Sequence, residues 1–370
     1  MAMANTAPPF SQDLSPRQII DRCCAAARLT SHSLKRMDDA AKAGALRAAA
    51  GALRADAAII LAANTLDCDM AASHGLSSAM LDRLRLDADR LAAIANSIEA
   101  VANLPDPVGE EIDRRIAPAG MTLRRVRVPV GVIGIIYESR PNVTIDAAAL
   151  CVRSGNAVIL RGGSEAMHSN RALHASFVRG LTSEGMDAAA VQLVPTQDRD
   201  AVGAMLTASG GIDLIIPRGG KSLVARVQAD ARVPVLAHLD GICHSFVHAA
   251  ADPDMARAIV VNAKLRRTGI CGAMETLLID RDFPDSATLL SALVDGGCEL
   301  RGDDMVLELE PRAVSASEED WDTEYLDAIV SACFVDGLEG ALAHIARHSS
   351  GHTEAIITSD DVAASRFQAE

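Results

Sequence analysis

One cysteine in the sequence has neighbours that suit a reactive thiol. Cys271 lies in the segment RRTGICGA (266–273), with Gly269 and Gly272 close on either side and two arginines four and five residues upstream. Nearby cations lower the pKa of a thiol, and the thiolate is the nucleophilic form. Glycines leave room for a substrate to approach the sulfur. The segment therefore predicts a nucleophilic cysteine.

The other cysteines have to be weighed against Cys271, because a lone cysteine is more often a small buried residue. Cys151 lies in an alanine-rich helical segment and Cys333 in an apolar strand, and both fit that structural role. Cys243 is harder to dismiss, because His244 follows it directly. The residues alone favour Cys271 but leave Cys243 open as an alternative.

Two glycine-containing segments could bind a ligand that carries phosphate. LRGGSE (160–165) and PRGGKS (217–222) each follow an aliphatic strand and open a helix. Glycines let the backbone approach a ligand, and a helix N-terminus offers free N–H groups to an anion. Either segment alone is better explained as an ordinary strand-to-helix turn. Two of them in successive units favour a nucleotide.

The two best-known nucleotide motifs are missing from the sequence. No GxGxxG follows the first strand, since GVIGIIY has a different spacing. Gly220-Lys221-Ser222 resembles the end of a phosphate-binding Walker loop, but Ile215 stands where that loop needs a glycine. The sequence therefore disfavours an ATPase or kinase.

Composition excludes several classes of function. With 49 acidic and 35 basic residues, the formal net charge is −14, which repels nucleic acid although a local arginine cluster can still bind a small anion. The eight cysteines show no CxxC and no metal-ligand spacing, so we expect free thiols in a reducing cytoplasm and no metal site. The longest apolar run, 128–137, falls short of the roughly 20 residues that span a membrane, and the N-terminus lacks a signal-peptide pattern. We expect a cytoplasmic protein with no membrane contact.

The N-terminal third of the chain predicts helices. Between residues 18 and about 104, apolar residues recur every three or four positions, and the polar run 30–33 suggests a helix cap. The segment 114–131 then predicts a pair of strands joined around Ala119 and Gly120. This part leads into the segments with the candidate site residues.

The rest of the chain predicts an α/β fold. Short aliphatic strands alternate with helical stretches from Gly131 onward, which is typical of a parallel sheet with helices on both faces. The strands of this first block are GVIGIIY, NAVILR, VQLVP, IDLIIP and VPVLAHL. A second block restarts after Asp240 and carries Cys271 in the loop between a helix and the strand METLLID.

Several of these segments together resemble gamma-glutamyl phosphate reductases, which have the aldehyde dehydrogenase fold. The resemblance runs from about residue 18 to the chain end, and its most specific strings are YESRPNVT and GICGAMETLL. It implies a Rossmann-type nucleotide-binding domain formed by 1–115 and 128–237. It also implies an oligomerisation hairpin at 116–127 and an α/β catalytic domain at 238–370.

The resemblance also implies roles for particular residues. Cys271 matches the nucleophile of the family, and Asn142 matches the side chain whose N–H stabilises the oxyanion. Arg161, Ser164 and Glu165 fall where related enzymes contact the cofactor around the adenosine ribose. Gly219 and Gly220 fall in the turn that approaches the pyrophosphate, and this family binds its dinucleotide without GxGxxG. Arg140, Arg266 and Arg267 are candidates for the phosphate or carboxylate of the substrate.

The implied reaction is the NADPH-dependent reduction of L-glutamyl 5-phosphate to L-glutamate 5-semialdehyde, in proline biosynthesis. Aldehyde oxidation is disfavoured, because His238 in HLDG stands near the position where hydrolytic relatives carry a glutamate base. Related reductases continue beyond the equivalent of Glu370, so the resemblance implies a shortened catalytic domain, weaker homo-oligomerisation and impaired activity. The alternative is a shortened paralogue that acts by binding glutamate 5-kinase.

Overall fold

The chain folds into two compact units, 1–237 and 238–370. This computed structural model describes residues 14–76, 78–138, 140–237 and 239–370. The bounds of the helices and strands in the first unit are α1 Pro16–Leu34, α2 Asp39–Ala55, α3 Ala57–Ser73, α4 Ser78–Leu84, α5 Ala88–Ala102, β1 Glu111–Ile116, β2 Thr122–Val126, β3 Val132–Tyr137, α6 Asn142–Arg153, β4 Ala157–Arg161, α7 Met167–Ser183, β5 Val191–Leu193, α8 Asp200–Leu206, β6 Leu214–Arg218 and α9 Lys221–Asp230. Those of the second unit are β7 Cys243–Val247, α10 Pro253–Leu265, β8 Met274–Asp280, α11 Ser286–Asp295, β9 Glu299–Gly302, α12 Asp304–Leu309, β10 Val314–Ser315, β11 Ile329–Val335, α13 Gly337–His348, β12 Glu354–Ile357 and α14 Asp361–Ala369.

The first unit is built on a parallel sheet with strand order β5-β4-β3-β6. Every residue of β3 and β4 is buried, which explains why both strands are unbroken aliphatic runs. Helices cover the sheet. Gly180 lets α7 pack closely on α2, because a Cβ at this position would lie only 2.3 Å from the backbone of Ala49. The carboxyl ends of β4 and β6 lead directly into the two glycine segments.

The second unit contains a six-stranded parallel sheet with strand order β10-β9-β11-β8-β7-β12. Its core is aliphatic and is centred on β8, whose seven residues are all buried. Cys271 precedes β8 and therefore lies at the edge formed by the amino ends of the strands. The α/β class and the alternation of strands and helices are as the sequence predicts.

Two local predictions are wrong, and three short elements were not predicted. The run 30–33 does not end a helix, because the Ser31 and Ser33 hydroxyls donate to the carbonyls of Arg28 and Thr30 (2.8 Å each) and α1 continues to Leu34. The predicted strand VPVLAHL contributes only an isolated bridge between Val235 and Ile215 in its described residues, since Pro234 lacks an N–H. The short elements β9, α12 and β10 were not predicted.

The strand pair around Ala119 and Gly120 is present as an antiparallel hairpin of β1 and β2. It begins at Glu111, earlier than the predicted bound of 116. Within the described chain, β1 and β2 pair only with each other.

Candidate active site and cofactor loops

Cys271 lies in a tight turn between α10 and β8. The N–H of Ala273 donates to the carbonyl of Ile270 at 3.0 Å, so the cysteine and Gly272 form the two central residues of the turn. The side chain of Cys271 is half-buried, and Ile270 and Gly272 are exposed. A thiol in this position can be reached from solvent.

Cys243 is placed differently. It is the first residue of β7, only 3% of it is exposed, and burial raises the pKa of its thiol to about 11. Its Sγ donates to the backbone carbonyl of Cys271 at 3.1 Å and lies 3.5 Å from Nδ1 of His352. Cys243 therefore supports the backbone beneath Cys271 and is protonated at neutral pH.

Burial also raises the thiol pKa of the remaining six cysteines. Burial is the largest cause of a raised thiol pKa in Cys23, Cys24, Cys68, Cys151, Cys298 and Cys333. Of these, only Cys68 is as accessible as Cys271, and it lies on α3, away from both glycine segments in sequence.

Asn142 begins α6, and its side-chain amide is held by the next turn of that helix. Its Nδ2 donates to Oδ2 of Asp146 at 2.8 Å, and Oδ1 of Asp146 accepts from the Ser97 hydroxyl at 3.0 Å. Since an amide NH₂ has two hydrogens, one N–H of Asn142 can still be offered to another acceptor. Asp146 was not predicted from the sequence, although a polar pair at i and i+4 in a helix is a usable signal.

Arg161 is turned towards the protein. Its guanidinium is buried and donates to the carbonyls of Gly162 at 2.7 Å and Gln197 at 3.0 Å, and burial lowers its pKa. These bonds join the loop after β4 to the loop after β5. Gln197 was not predicted from the sequence, because no local pattern marks a backbone acceptor so far along the chain.

The loop after β4 is crowded at both of its glycines. A Cβ at Gly162 would lie 2.2 Å from Nδ2 of Asn170, and one at Gly163 would lie 2.2 Å from Oε1 of Glu165. Ser164 is exposed and starts a single 3₁₀ turn that leads into α7. A side chain at position 162 would overlap the buried Asn170 and Tyr137, whereas one at position 163 would meet only the flexible Glu165 carboxylate, so the requirement for glycine is stronger at 162.

The second glycine loop already holds a carboxylate. The N–H of Gly220, at the start of α9, donates to Oε2 of Glu138 at 2.9 Å, and a Cβ at Gly219 would lie 2.5 Å from the same oxygen. An acidic group at a helix N-terminus occupies the place where a phosphate is favoured. Glu138, which follows β3, was not predicted from the sequence.

The three arginines proposed for the substrate are exposed. Arg140 lies in the loop before α6, and its carbonyl accepts from the N–H of Val143 at 3.1 Å. Arg266 and Arg267 follow α10 and lead into the turn with Cys271. His238 lies outside the described residues.

Two classes of site are not found in the described part of the chain. No group of three or more His, Cys, Asp or Glu side chains there could hold a metal ion. None of the helices described is both long and apolar enough to cross a membrane.

The first unit has a buried parallel sheet with two glycine loops, and the second has a turn with an accessible cysteine. The model of the aldehyde dehydrogenase family matches residues 11–304. The chain belongs to the aldehyde dehydrogenase family, whose members use a nicotinamide cofactor.

Relatives with high sequence identity narrow this class. The gamma-glutamyl phosphate reductase of Novosphingobium aromaticivorans is 65% identical over 356 residues, which is 96% of this chain and 84% of that protein. The one from Sphingopyxis alaskensis is 66% identical over 343 residues, 93% of this chain and 80% of that protein. The crystal structure of the Thermotoga maritima gamma-glutamyl phosphate reductase matches with a TM-score of 0.91 and 36% identity, covering 95% of this chain and 85% of that one. Within the aldehyde dehydrogenases, the chain is a member of the gamma-glutamyl phosphate reductase group and an oxidoreductase.

Proposed function

We propose that this chain reduces L-glutamyl 5-phosphate to L-glutamate 5-semialdehyde and phosphate with NADPH, in the proline biosynthesis of the cytoplasm. The family and the identity of its relatives support the substrate and the reaction. The observation that carries the mechanism is the accessibility of Cys271 in its turn, compared with the burial of Cys243.

The first step is carried out by the protein's own side chains. The Cys271 thiolate attacks the acyl carbon of the substrate, the C–O bond to phosphate breaks, and a thioester forms on Sγ. The free N–H of Asn142, oriented by Asp146, would stabilise the oxyanion of this attack. One such donor is typically worth about 3 kcal/mol. Arg140, Arg266 and Arg267 would attract the phosphate and carboxylate groups of the substrate.

The cofactor loops fit a dinucleotide. Gly162, Gly163 and Gly219 place no side chain on these loops, and the Gly220 N–H at the start of α9 bonds to the Glu138 carboxylate in the place that a phosphate would take. These residues, with Ser164 and Glu165, would hold NADPH, while Arg161 would fix the loop that carries them. The bound cofactor would supply the hydride that reduces the thioester.

The partners follow from the family and the hairpin. We infer a homo-oligomer in which the hairpin of β1 and β2 takes part in the subunit contact. A contact with glutamate 5-kinase, which would protect the labile acyl phosphate, stays a prediction.

The reaction can be tested in reverse with glutamate semialdehyde, phosphate and NADP⁺, by following the absorbance of the reduced cofactor. We expect a signal that depends on phosphate, is abolished in Cys271→Ala and stays within a few fold in Cys243→Ser, which keeps a donor for the Cys271 carbonyl. A signal without phosphate would indicate an oxidising dehydrogenase. A complete loss in Cys243→Ser alone would show that the nucleophile is assigned to the wrong thiol.

A further inference from the structure

A buried ion pair joins the two ends of the segment that carries Cys271. Nζ of Lys264, in the last turn of α10, lies 2.6 Å from Oε2 of Glu275, the second residue of β8, and neither side chain is exposed. We call Lys264 and Glu275 the neck pair. Burial raises the pKa of Glu275, and the hydrogen bond and charge of Lys264 act against that rise.

Stability alone gives little reason for such a pair. Removing two charges from water is costly, and apolar residues of similar volume often replace a buried pair without loss of stability. An ion pair does fix the direction and distance between the elements that carry it. The neck pair closes the loop 266–273, so it sets where that loop leaves α10 and enters β8.

The neck pair also holds a second loop. Oε1 of Glu275 accepts from the N–H of Leu326 at 3.4 Å, and Nζ of Lys264 lies 5.9 Å from the ring centre of Tyr325. Leu326 has a φ of +54°, the only positive φ of any non-glycine residue in the described chain. A residue with a β-carbon rarely adopts this backbone conformation, so the surrounding contacts must hold Leu326 in it.

The second loop returns to the backbone of Cys271. A Cβ at Gly241 would lie 2.2 Å from the carbonyl oxygen of Cys271 and 2.9 Å from Oε1 of Glu324, so the chain before β7 passes closely between them. The same carbonyl accepts from Cys243. The backbone of Cys271 is therefore fixed by neighbours on several sides, and the neck pair lies at the base of this arrangement.

We propose that Lys264 and Glu275 are positioning residues, whose ion pair holds the Cys271 turn in the geometry for attack on the acyl carbon. The proposal rests on Cys271 as the nucleophile of the proposed function. A misplacement of about 1 Å can reduce an enzymatic rate by about 100-fold, because the reacting atoms must be aligned. Loss of the neck pair should therefore lower kcat more than it changes substrate binding.

The test is the double variant Lys264→Met with Glu275→Gln, in which the glutamine keeps an oxygen for the Leu326 N–H. The first unit offers a matched control, since Nζ of Lys42, also fully buried, lies 2.6 Å from Oδ2 of Asp106, and Oδ1 of Asp106 accepts from Val108. Lys42→Met with Asp106→Asn removes the same chemistry from a pair outside the Cys271 loop. Both are assayed for kcat, KM, the folded fraction, and the pH dependence of Cys271 alkylation by iodoacetamide.

We expect kcat of the neck variant to fall by about 10-fold or more per folded molecule, with KM within about two-fold and an altered alkylation profile. The control variant should keep kcat within about two-fold. Equal kcat values in the two variants, or a loss explained by the folded fraction, would overturn the proposal. If the neck variant does not fold, Glu275→Asp, which keeps both charges but shortens the reach, is judged by the same criterion. Full activity in Cys271→Ala would instead refute the proposed function itself.

Discussion

The fold places two neighbouring thiols in opposite environments, one buried and one accessible. Cys243 starts a buried strand, and burial raises the pKa of its thiol to about 11, so it stays protonated at neutral pH. Its proton is used in a bond to the carbonyl of Cys271. Cys271, displaced from the sheet by a turn, remains accessible. The difference depends on the strand boundary at residue 243, which local sequence context around a cysteine does not reveal.

The Glu138 carboxylate lies at the start of α9, in the loop that we propose holds the pyrophosphate of the cofactor. Its carboxylate accepts the Gly220 N–H at 2.9 Å, and a pyrophosphate at this turn would compete with it. In Glu138→Gln the competing charge at the N-terminus of α9 is removed, so we expect KM for NADPH to fall by about two- to five-fold, with kcat little changed. Fluorescence titration of NADPH measures the binding directly.

The exposed Glu110, paired with Arg127 at 2.7 Å beside the hairpin, provides the control for this experiment. Glu110→Gln should leave cofactor binding unchanged. Weaker NADPH binding in Glu138→Gln would mean that the carboxylate holds the turn in its binding conformation and does not compete with the ligand.

At the level of elements, periodicity predicted most of what positions the site. The aliphatic runs of β3 and β4 are buried on both faces, and their short length and the glycines that flank them identify them as strands. Two errors have local causes: serines continue α1 by bonding to its own carbonyls, and Pro234, which has no N–H, limits a strand-like run to one bridge. The sequence did not indicate Glu138 and Gln197, because each is bonded to a residue remote in sequence: Glu138 accepts from the Gly220 N–H, and the Gln197 carbonyl accepts from the Arg161 guanidinium.

The start of α7 depends on a buried carboxylate from another helix. Oδ2 of Asp67 on α3 accepts from the N–H and the hydroxyl of Ser169 at 2.7 and 2.6 Å, and Oδ1 accepts from the N–H of His168 at 3.1 Å. Asp67→Ala would leave these donors buried without an acceptor, so we expect the free energy of unfolding to fall by about 2–4 kcal/mol, measured by urea denaturation. Asp87→Ala, at the exposed N-cap of α5, should cost only about 1 kcal/mol. An equal loss in both variants would show that Asp67 acts only as an ordinary helix cap.

The hairpin differs from the rest of the molecule in both charge and exposure. Residues 111–127 contain five arginines and two acidic residues, whereas the whole chain has a net charge of −14. Glu111 forms ion pairs with Arg114 and Arg124 at 2.7 and 2.6 Å, which hold the strands together but do not shield their apolar side chains. A two-stranded hairpin is marginally stable in water. A basic, apolar hairpin on an acidic molecule is thus suited to contact a second copy of the chain.

This contact can be tested at Ile116, of which 76% is exposed at the end of β1. A glutamate there places a charge in the apolar contact and reduces the positive charge of the hairpin, so Ile116→Glu should shift the molar mass measured by light scattering towards the monomer. The unfolding free energy of the subunit should change little, because the side chain is not in the core. Leu29 on α1 is 74% exposed and serves as the control, since Leu29→Glu makes the same chemical change outside the hairpin. If only the Leu29 variant has a lowered molar mass, the subunit contact involves the helical surface and not the hairpin. If both variants have the molar mass of the wild type, the hairpin takes no part in the assembly.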